Sequence, residues 1–248
     1  MATANPAMNE SVSDRAGRAF EADSVMTLEG TVVKTAGLLF ILMVAAVYTW
    51  TQAAAGSPLT YPLILVGSIG GLITAMLTIF MPKASPFSAP LYAALEGLVL
   101  GAISAAFEAR YHGIAIQAVG LSIGVLAIML FLYGTGIIRA TEKFKIGVVA
   151  ATGAICLVYV VDLVASFFGA HIPYIHESGY VGIGFSLAVV VIAALNLVLD
   201  FDFIDRGVRM QAPKYMEWYG GFSLLVTLVW MYLEILRLLA KVQGGSRN

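Results

Sequence analysis

The chain has 248 residues, of which 60% are hydrophobic and only 12% are charged, and its mean hydropathy is +0.89. Soluble domains carry about 25% charged residues, so this chain has too few charges to coat a globular surface. The formal net charge of -1 gives no indication of a nucleic-acid partner. No phosphate-binding glycine loop, Ser-His-Asp order or zinc-protease motif occurs, so we expect neither an enzyme nor a bound cofactor. The composition predicts an integral membrane protein.

The first 30 residues differ from the rest because they are polar and of mixed charge. They lack the basic and then apolar pattern of a cleaved signal peptide, so they predict a cytoplasmic tail. We therefore expect a tail over residues 1–30, a membrane domain over residues 31–243 and a short C-terminal tail over residues 244–248.

Apolar stretches long enough to cross a bilayer, about 20 residues each, occur seven times. They predict an all-α protein with transmembrane helices near residues 32–51, 62–80, 89–107, 114–133, 146–168, 181–199 and 222–239. Three glycine pairs spaced four apart favour close helix packing. These pairs are Gly67 and Gly71, Gly97 and Gly101, and Gly120 and Gly124.

The distribution of Lys and Arg predicts the orientation, because cytoplasmic loops collect these residues. Of the 14 Lys and Arg residues, ten fall on the same side of the membrane as the N-terminus and four fall on the opposite side. The N-terminus is therefore predicted to be cytoplasmic. Because three of those four follow or end the last span, six spans plus a re-entrant final segment is the alternative topology.

Five carboxylates lie in or at the ends of these apolar stretches, where a charge costs roughly 2.5 to 3.5 kcal/mol at mid-bilayer. They are Glu96, Asp162, Asp200, Asp202 and Glu234. Such residues persist when they pair, bind an ion or carry a proton. Glu96 and Asp162 are candidates to line an ion path, together with the amide of Asn196. Lys34 or Lys83 could instead pair with one of the two acids.

Asp200 shares a helical face with Asn196, four residues earlier, whereas Asp202 is rotated away from that face. The alternative reading is that Asp200, Asp202 and Asp205 only mark the helix leaving the membrane. Glu234 has apolar residues on both sides, and the alternative there is a local pair with Arg237 at i+3.

Contact between Asp200 and Glu234 depends on where their helices end. If helix six runs to Arg209 and helix seven begins near Gly220, the two acids lie about 14 and about 20 Å from those ends, and contact is feasible. Two carboxylates in contact would share a proton and respond to pH. When deprotonated they would suit Ca²⁺, which prefers oxygen ligands.

Two sequence runs contain Asp200 and Glu234, namely residues 199–204 (LDFDFI) and 231–239 (MYLEILRLL). They resemble the last two helices of the transmembrane Bax inhibitor motif family, and of its bacterial YccA-like branch in particular. Residues 88–97 and 212–219 are also similar to that branch. The resemblance implies a bacterial plasma (inner) membrane protein with six helices surrounding a central seventh.

The resemblance further implies a pH-sensitive Ca²⁺ leak governed by one acid on helix six and one on helix seven. Asp200 falls on the first position, and Glu234 is assigned to the second, where the family carries Asp. Lys83 and Arg237 are candidate latches onto these acids. The alternative function is a non-conducting regulator that binds a membrane protease or stress-response partner, with the N-terminal tail as the discriminating element.

Overall fold

The computed structural model describes residues 24–169 and 179–245. Over these residues it contains seven helices that are long and apolar enough to cross a membrane, which confirms the predicted number of spans. They are α1 (Leu28–Ala54), α2 (Thr60–Phe80), α3 (Ser85–Arg110), α4 (Ile114–Gly134), α5 (Glu142–Phe167), α6 (Tyr180–Arg209) and α7 (Met216–Gly245). The chain is therefore a multi-pass membrane protein with an all-α fold.

The observed helices extend beyond the predicted spans at their polar ends. Hydropathy ends the sixth span at residue 199, but α6 continues to Arg209. The last segment is one continuous helix of 30 residues, about 45 Å long, so it decides against the re-entrant alternative.

Successive helices run in opposite directions, which places the starts of α1, α3, α5 and α7 at one end of the bundle. We call this the proximal end and the other the distal end. Helix α7 packs against α1, α3, α4 and α6, whereas α2 lies mainly against α3. The side chain of Tyr159 reaches α7 from α5. Buried side chains concentrate on α3, α6 and α7. The outward faces of the bundle expose large apolar residues suited to lipid.

Glycine spacing allows α1 and α3 to pack with their backbones in close contact. A methyl group at Gly97 would overlap the carbonyl oxygen of Leu42, and one at Gly101 would overlap that of Ala46. Gly67 contacts α3 in the same way, but Gly120 and Gly124 have nothing within 4 Å of an added methyl group. Two of the three predicted pairs therefore lie at helix contacts.

Residues 24–27 pack across the α6–α7 loop at the proximal end. The Met26 amide donates to the Ala212 carbonyl at 2.7 Å, and the Lys214 amide donates to the Ser24 carbonyl at 3.0 Å. Thr27 then caps α1 by accepting a hydrogen bond from the Gly30 amide. The remainder of the predicted N-terminal tail, residues 1–23, lies outside the described residues, as do residues 246–248 of the predicted C-terminal tail.

Candidate functional site

Asp200 is a buried acid in the interior of α6, with 8% of its surface exposed. Its Oδ1 accepts a hydrogen bond from the hydroxyl of Ser223 on α7 at 2.5 Å. Thr227, one turn further along α7, is a second hydroxyl that interacts with this carboxyl group. Within the described residues its Oδ2 has no hydrogen-bond partner. Asp200 is thus held by hydroxyl groups and forms no ion pair there.

Glu234 is a second buried acid, with no exposed surface. Its Oε1 pairs with the Arg237 guanidinium at 2.6 Å and accepts a hydrogen bond from the Tyr159 hydroxyl at 2.9 Å. The local Glu-Arg pair, which was the alternative reading of the sequence, is therefore present.

Asp200 and Glu234 do not contact each other, so the predicted pair is wrong for this structure. Asp200 lies nine residues from the end of α6, a depth of about 13 Å, and Glu234 lies 18 residues from the start of α7, a depth of about 27 Å. Ser223 and Thr227 lie about 10 and about 16 Å from the start of α7. Asp200, at about 13 Å from the same end of the bundle, therefore lies at a level between them.

The error lies in the start of α7. Contact required the helix to begin near Gly220, but it begins at Met216, which carries Glu234 about 13 Å past the level of Asp200. Two carboxylates this far apart cannot bind one Ca²⁺ together, because each ligand oxygen must lie within about 2.6 Å of the ion. Within the described residues, no three His, Cys, Asp or Glu side chains form a metal-binding group.

A cavity of about 350 Å³ at the proximal end has Asp200 in its wall. We call it the proximal vestibule. Asp202 and Arg206 from α6, Lys145 from α5, and Tyr219 and Ser223 from α7 also line it. This space connects Asp200 to the polar end of the bundle.

A second cavity, of about 530 Å³, opens at the distal end and contains Glu234. We call it the distal vestibule. Its other polar side chains are those of Arg110, Tyr111, Tyr159, Ser186, Arg237 and Lys241. The Lys241 ammonium donates to the Ser186 hydroxyl at 2.7 Å.

An apolar layer separates the two vestibules. Leu197 on α6 and Met231 on α7 are fully buried in it, and Leu228 packs beside them. These residues lie at depths between those of Asp200 and Glu234. The structure therefore has a buried acid at the inner end of each vestibule and hydrocarbon between them.

The other predicted site residues lie on α3, α5 and α6 and in the short turn before α3. The Asn196 amide donates to the Thr152 hydroxyl at 2.7 Å, which ties α6 to α5. Glu96 lies on α3 beside Gly71 of α2, and Asp162 lies on α5 one turn beyond Tyr159. Lys83 is exposed and pairs with no acid in the described part of the chain, so it is not a latch onto Asp200 in this structure.

Three residues that contact the acids were not expected from the sequence. Ser223 and Thr227 are hydroxyls in an apolar helix, and Tyr159 is an aromatic residue in an apolar run. The expected partners were Asn196 on the same helix as Asp200, and charged residues. A search for any polar side chain within two turns of the Gly220-Gly221 pair would have found both hydroxyls.

A protein-family model described as Bax inhibitor 1 like matches residues 5–244, nearly the whole chain. The chain belongs to the Bax inhibitor 1 like family. The seven-helix fold agrees with the resemblance found in residues 199–204 and 231–239. No curated protein and no solved structure matches the chain. Membership in the YccA-like branch of the Bax inhibitor 1 like family stays a prediction.

Proposed function

We propose that this protein is a pH-sensitive cation leak of a bacterial plasma membrane, oriented with its N-terminus in the cytoplasm and with Ca²⁺ as a permeant ion. The observation that carries the proposal is Asp200, a buried carboxylate that forms no ion pair in the described residues and lines a cavity open to the proximal end. A buried charge without a counter-charge is costly, so the site favours a proton or a cation.

The two vestibules provide the rest of the path. A cation that enters the proximal vestibule meets Asp200, and one that leaves by the distal vestibule passes Glu234. The apolar layer around Leu197 and Met231 blocks the path between them, so the structure corresponds to a closed state of the proposed leak. Separation of α6 from α7 at this layer would connect the vestibules.

The test is Ca²⁺ flux by the purified protein in liposomes between about pH 6 and about pH 8, where a proton and a cation would compete for a carboxylate. We expect a pH-dependent flux whose pH dependence is lost in Asp200→Asn. Glu234→Gln should change the magnitude of the flux, because it leaves Arg237 without its acid in the distal vestibule.

Asp205→Asn is the matched control for Asp200→Asn. Asp205 lies on the same helix but pairs with Arg209 at the exposed end, at 2.8 Å. The Asp205→Asn substitution should leave the Ca²⁺ flux unchanged. Absence of flux from the wild-type protein, or equal flux from the wild type, Asp200→Asn and Glu234→Gln, would rule out the leak.

A second candidate function is regulation of a membrane protease or another stress-response partner through the N-terminal tail. It is favoured by the contact between residues 24–27 and the α6–α7 loop, because a partner that pulls on the tail would act on the two helices around Asp200.

Deletion of residues 1–23 leaves this contact in place. We expect the deletion to abolish co-purification of the partner and to leave Ca²⁺ flux unchanged. Co-purification that survives the deletion would contradict a tail-mediated function.

A further inference from the structure

The mouth of the proximal vestibule contains a lysine bound between two carboxylates from different helices. The Lys145 ammonium lies 3.0 Å from Glu142 Oε1 and 3.1 Å from Asp202 Oδ2. Its side chain is 19% exposed, so most of it is enclosed by the vestibule wall. The ammonium occupies the position that a free cation bound by these two acids would take.

Below the ammonium, the same cavity leads to the unpartnered Oδ2 of Asp200. Three carboxylates, those of Glu142, Asp200 and Asp202, therefore lie in or beside the vestibule with two cations, Lys145 and Arg206. Arg206 pairs with Asp202 at 2.9 Å, and its side chain is 54% exposed. Removal of the Lys145 charge would leave Asp200 and Asp202 in the vestibule wall with Arg206 as the remaining cation there, an arrangement that attracts cations.

We propose that Lys145 is a tethered cation that excludes free cations from the proximal vestibule and so controls access to Asp200. This proposal rests on the proposed leak for its physiological meaning, but the exclusion itself does not require conduction. Lys145 then determines how readily cations enter, because a mobile cation must displace the ammonium from Asp202 before it reaches Asp200.

The chain offers a matched control for Lys145. Lys143 carries the same charge in the same turn of α5, but it is exposed and forms no ion pair within the described residues. Lys145→Met and Lys143→Met therefore make the same change in net charge, and only the first removes a cation from the vestibule.

The experiment measures the rate at which the thiol of Ser223→Cys is modified, in a Cys156→Ala background. Purified protein in nanodiscs is treated with cationic 2-aminoethyl methanethiosulfonate or with neutral methyl methanethiosulfonate. The quantity compared is the rate of modification by the cationic reagent divided by the rate of modification by the neutral reagent. In Lys145→Met we expect this ratio to rise about tenfold, because one unit charge a few Å from the thiol is lost. Lys143→Met and Lys145→Arg should keep the ratio of the parent protein.

An unchanged ratio in Lys145→Met would overturn the proposal. Equal acceleration of both reagents would also overturn it, because it would indicate a loosened bundle and not the loss of a charge barrier. If Lys145→Met does not fold, Lys145→Gln serves in its place. Ca²⁺ flux measured on the same variants separates the two proposals: a raised ratio without flux in any variant would leave cation exclusion standing and reject the leak.

Discussion

Ser223→Asp is expected to make the stability of the bundle fall as pH rises. The new carboxylate would lie against Asp200, whose Oδ1 now accepts a hydrogen bond from the Ser223 hydroxyl. Two carboxylates in contact away from water are stable together only while they share a proton. The stabilising contact is therefore present at low pH and is lost as the pH rises and the shared proton leaves.

The measurement is the midpoint of thermal unfolding in detergent from about pH 5 to about pH 8, where a shared proton would be released. We expect Ser223→Asp to lose about 3 kcal/mol of stability between these limits, as for a buried charge left without a counter-charge. Ser223→Asn, which is similar in size but does not ionise, should show the pH dependence of the wild type. Equal pH dependence in the two variants would show that residue 223 does not face Asp200.

Glu217→Gln is expected to lower the free energy of unfolding by about 3 kcal/mol, the cost of removing one partner from a buried ion pair. Glu217 has no exposed surface. Its Oε2 pairs with Lys34 at 2.8 Å, and its Oε1 pairs with Lys214 at 3.1 Å. The amide of Glu217→Gln carries no charge, so the partly buried Lys34 ammonium would lose its ion-pair partner.

Oε1 of Glu217 also accepts hydrogen bonds from the amide and hydroxyl of Thr27, at 2.9 and 2.8 Å. Glu217→Gln should therefore also speed hydrogen exchange at the Met26 amide, which bonds to Ala212 across the α6–α7 loop.

Unfolding can be followed by titration with dodecyl sulfate. Glu29→Gln is the control, because Glu29 is an exposed acid in the first turn of α1, the helix that Thr27 caps. A loss no greater than that of Glu29→Gln would contradict the anchoring role of Glu217.

The predicted Asp200–Glu234 contact required a particular register between two antiparallel helices. That contact needed α6 to run past Asp205 and α7 to start late. The first part is confirmed, since α6 ends at Arg209, and the second is wrong, since α7 starts at Met216. Glu217 sits in that first turn and is enclosed by Thr27 and two lysines. Those distant contacts stabilise a polar helix start that hydropathy does not detect.

The sequence by itself determined the membrane class, the seven helices and the unusual position of an acid at residue 200, because each follows from local composition. A run of about 20 apolar residues forms a helix in lipid whatever its neighbours are, and an acid within it is unusual wherever it faces. The family followed from short runs around Asp200 and Glu234 for the same reason.

Only the tertiary structure decided what each acid contacts. Ser223 lies opposite Asp200, and Tyr159 and Arg237 enclose Glu234, because the polar ends of the helices fix their relative depth and rotation. A shift of one turn moves a residue about 5.4 Å along the axis, which is more than a hydrogen bond can span. The identity of a buried pair therefore depends on contacts at the helix ends, far along the chain from the acids themselves.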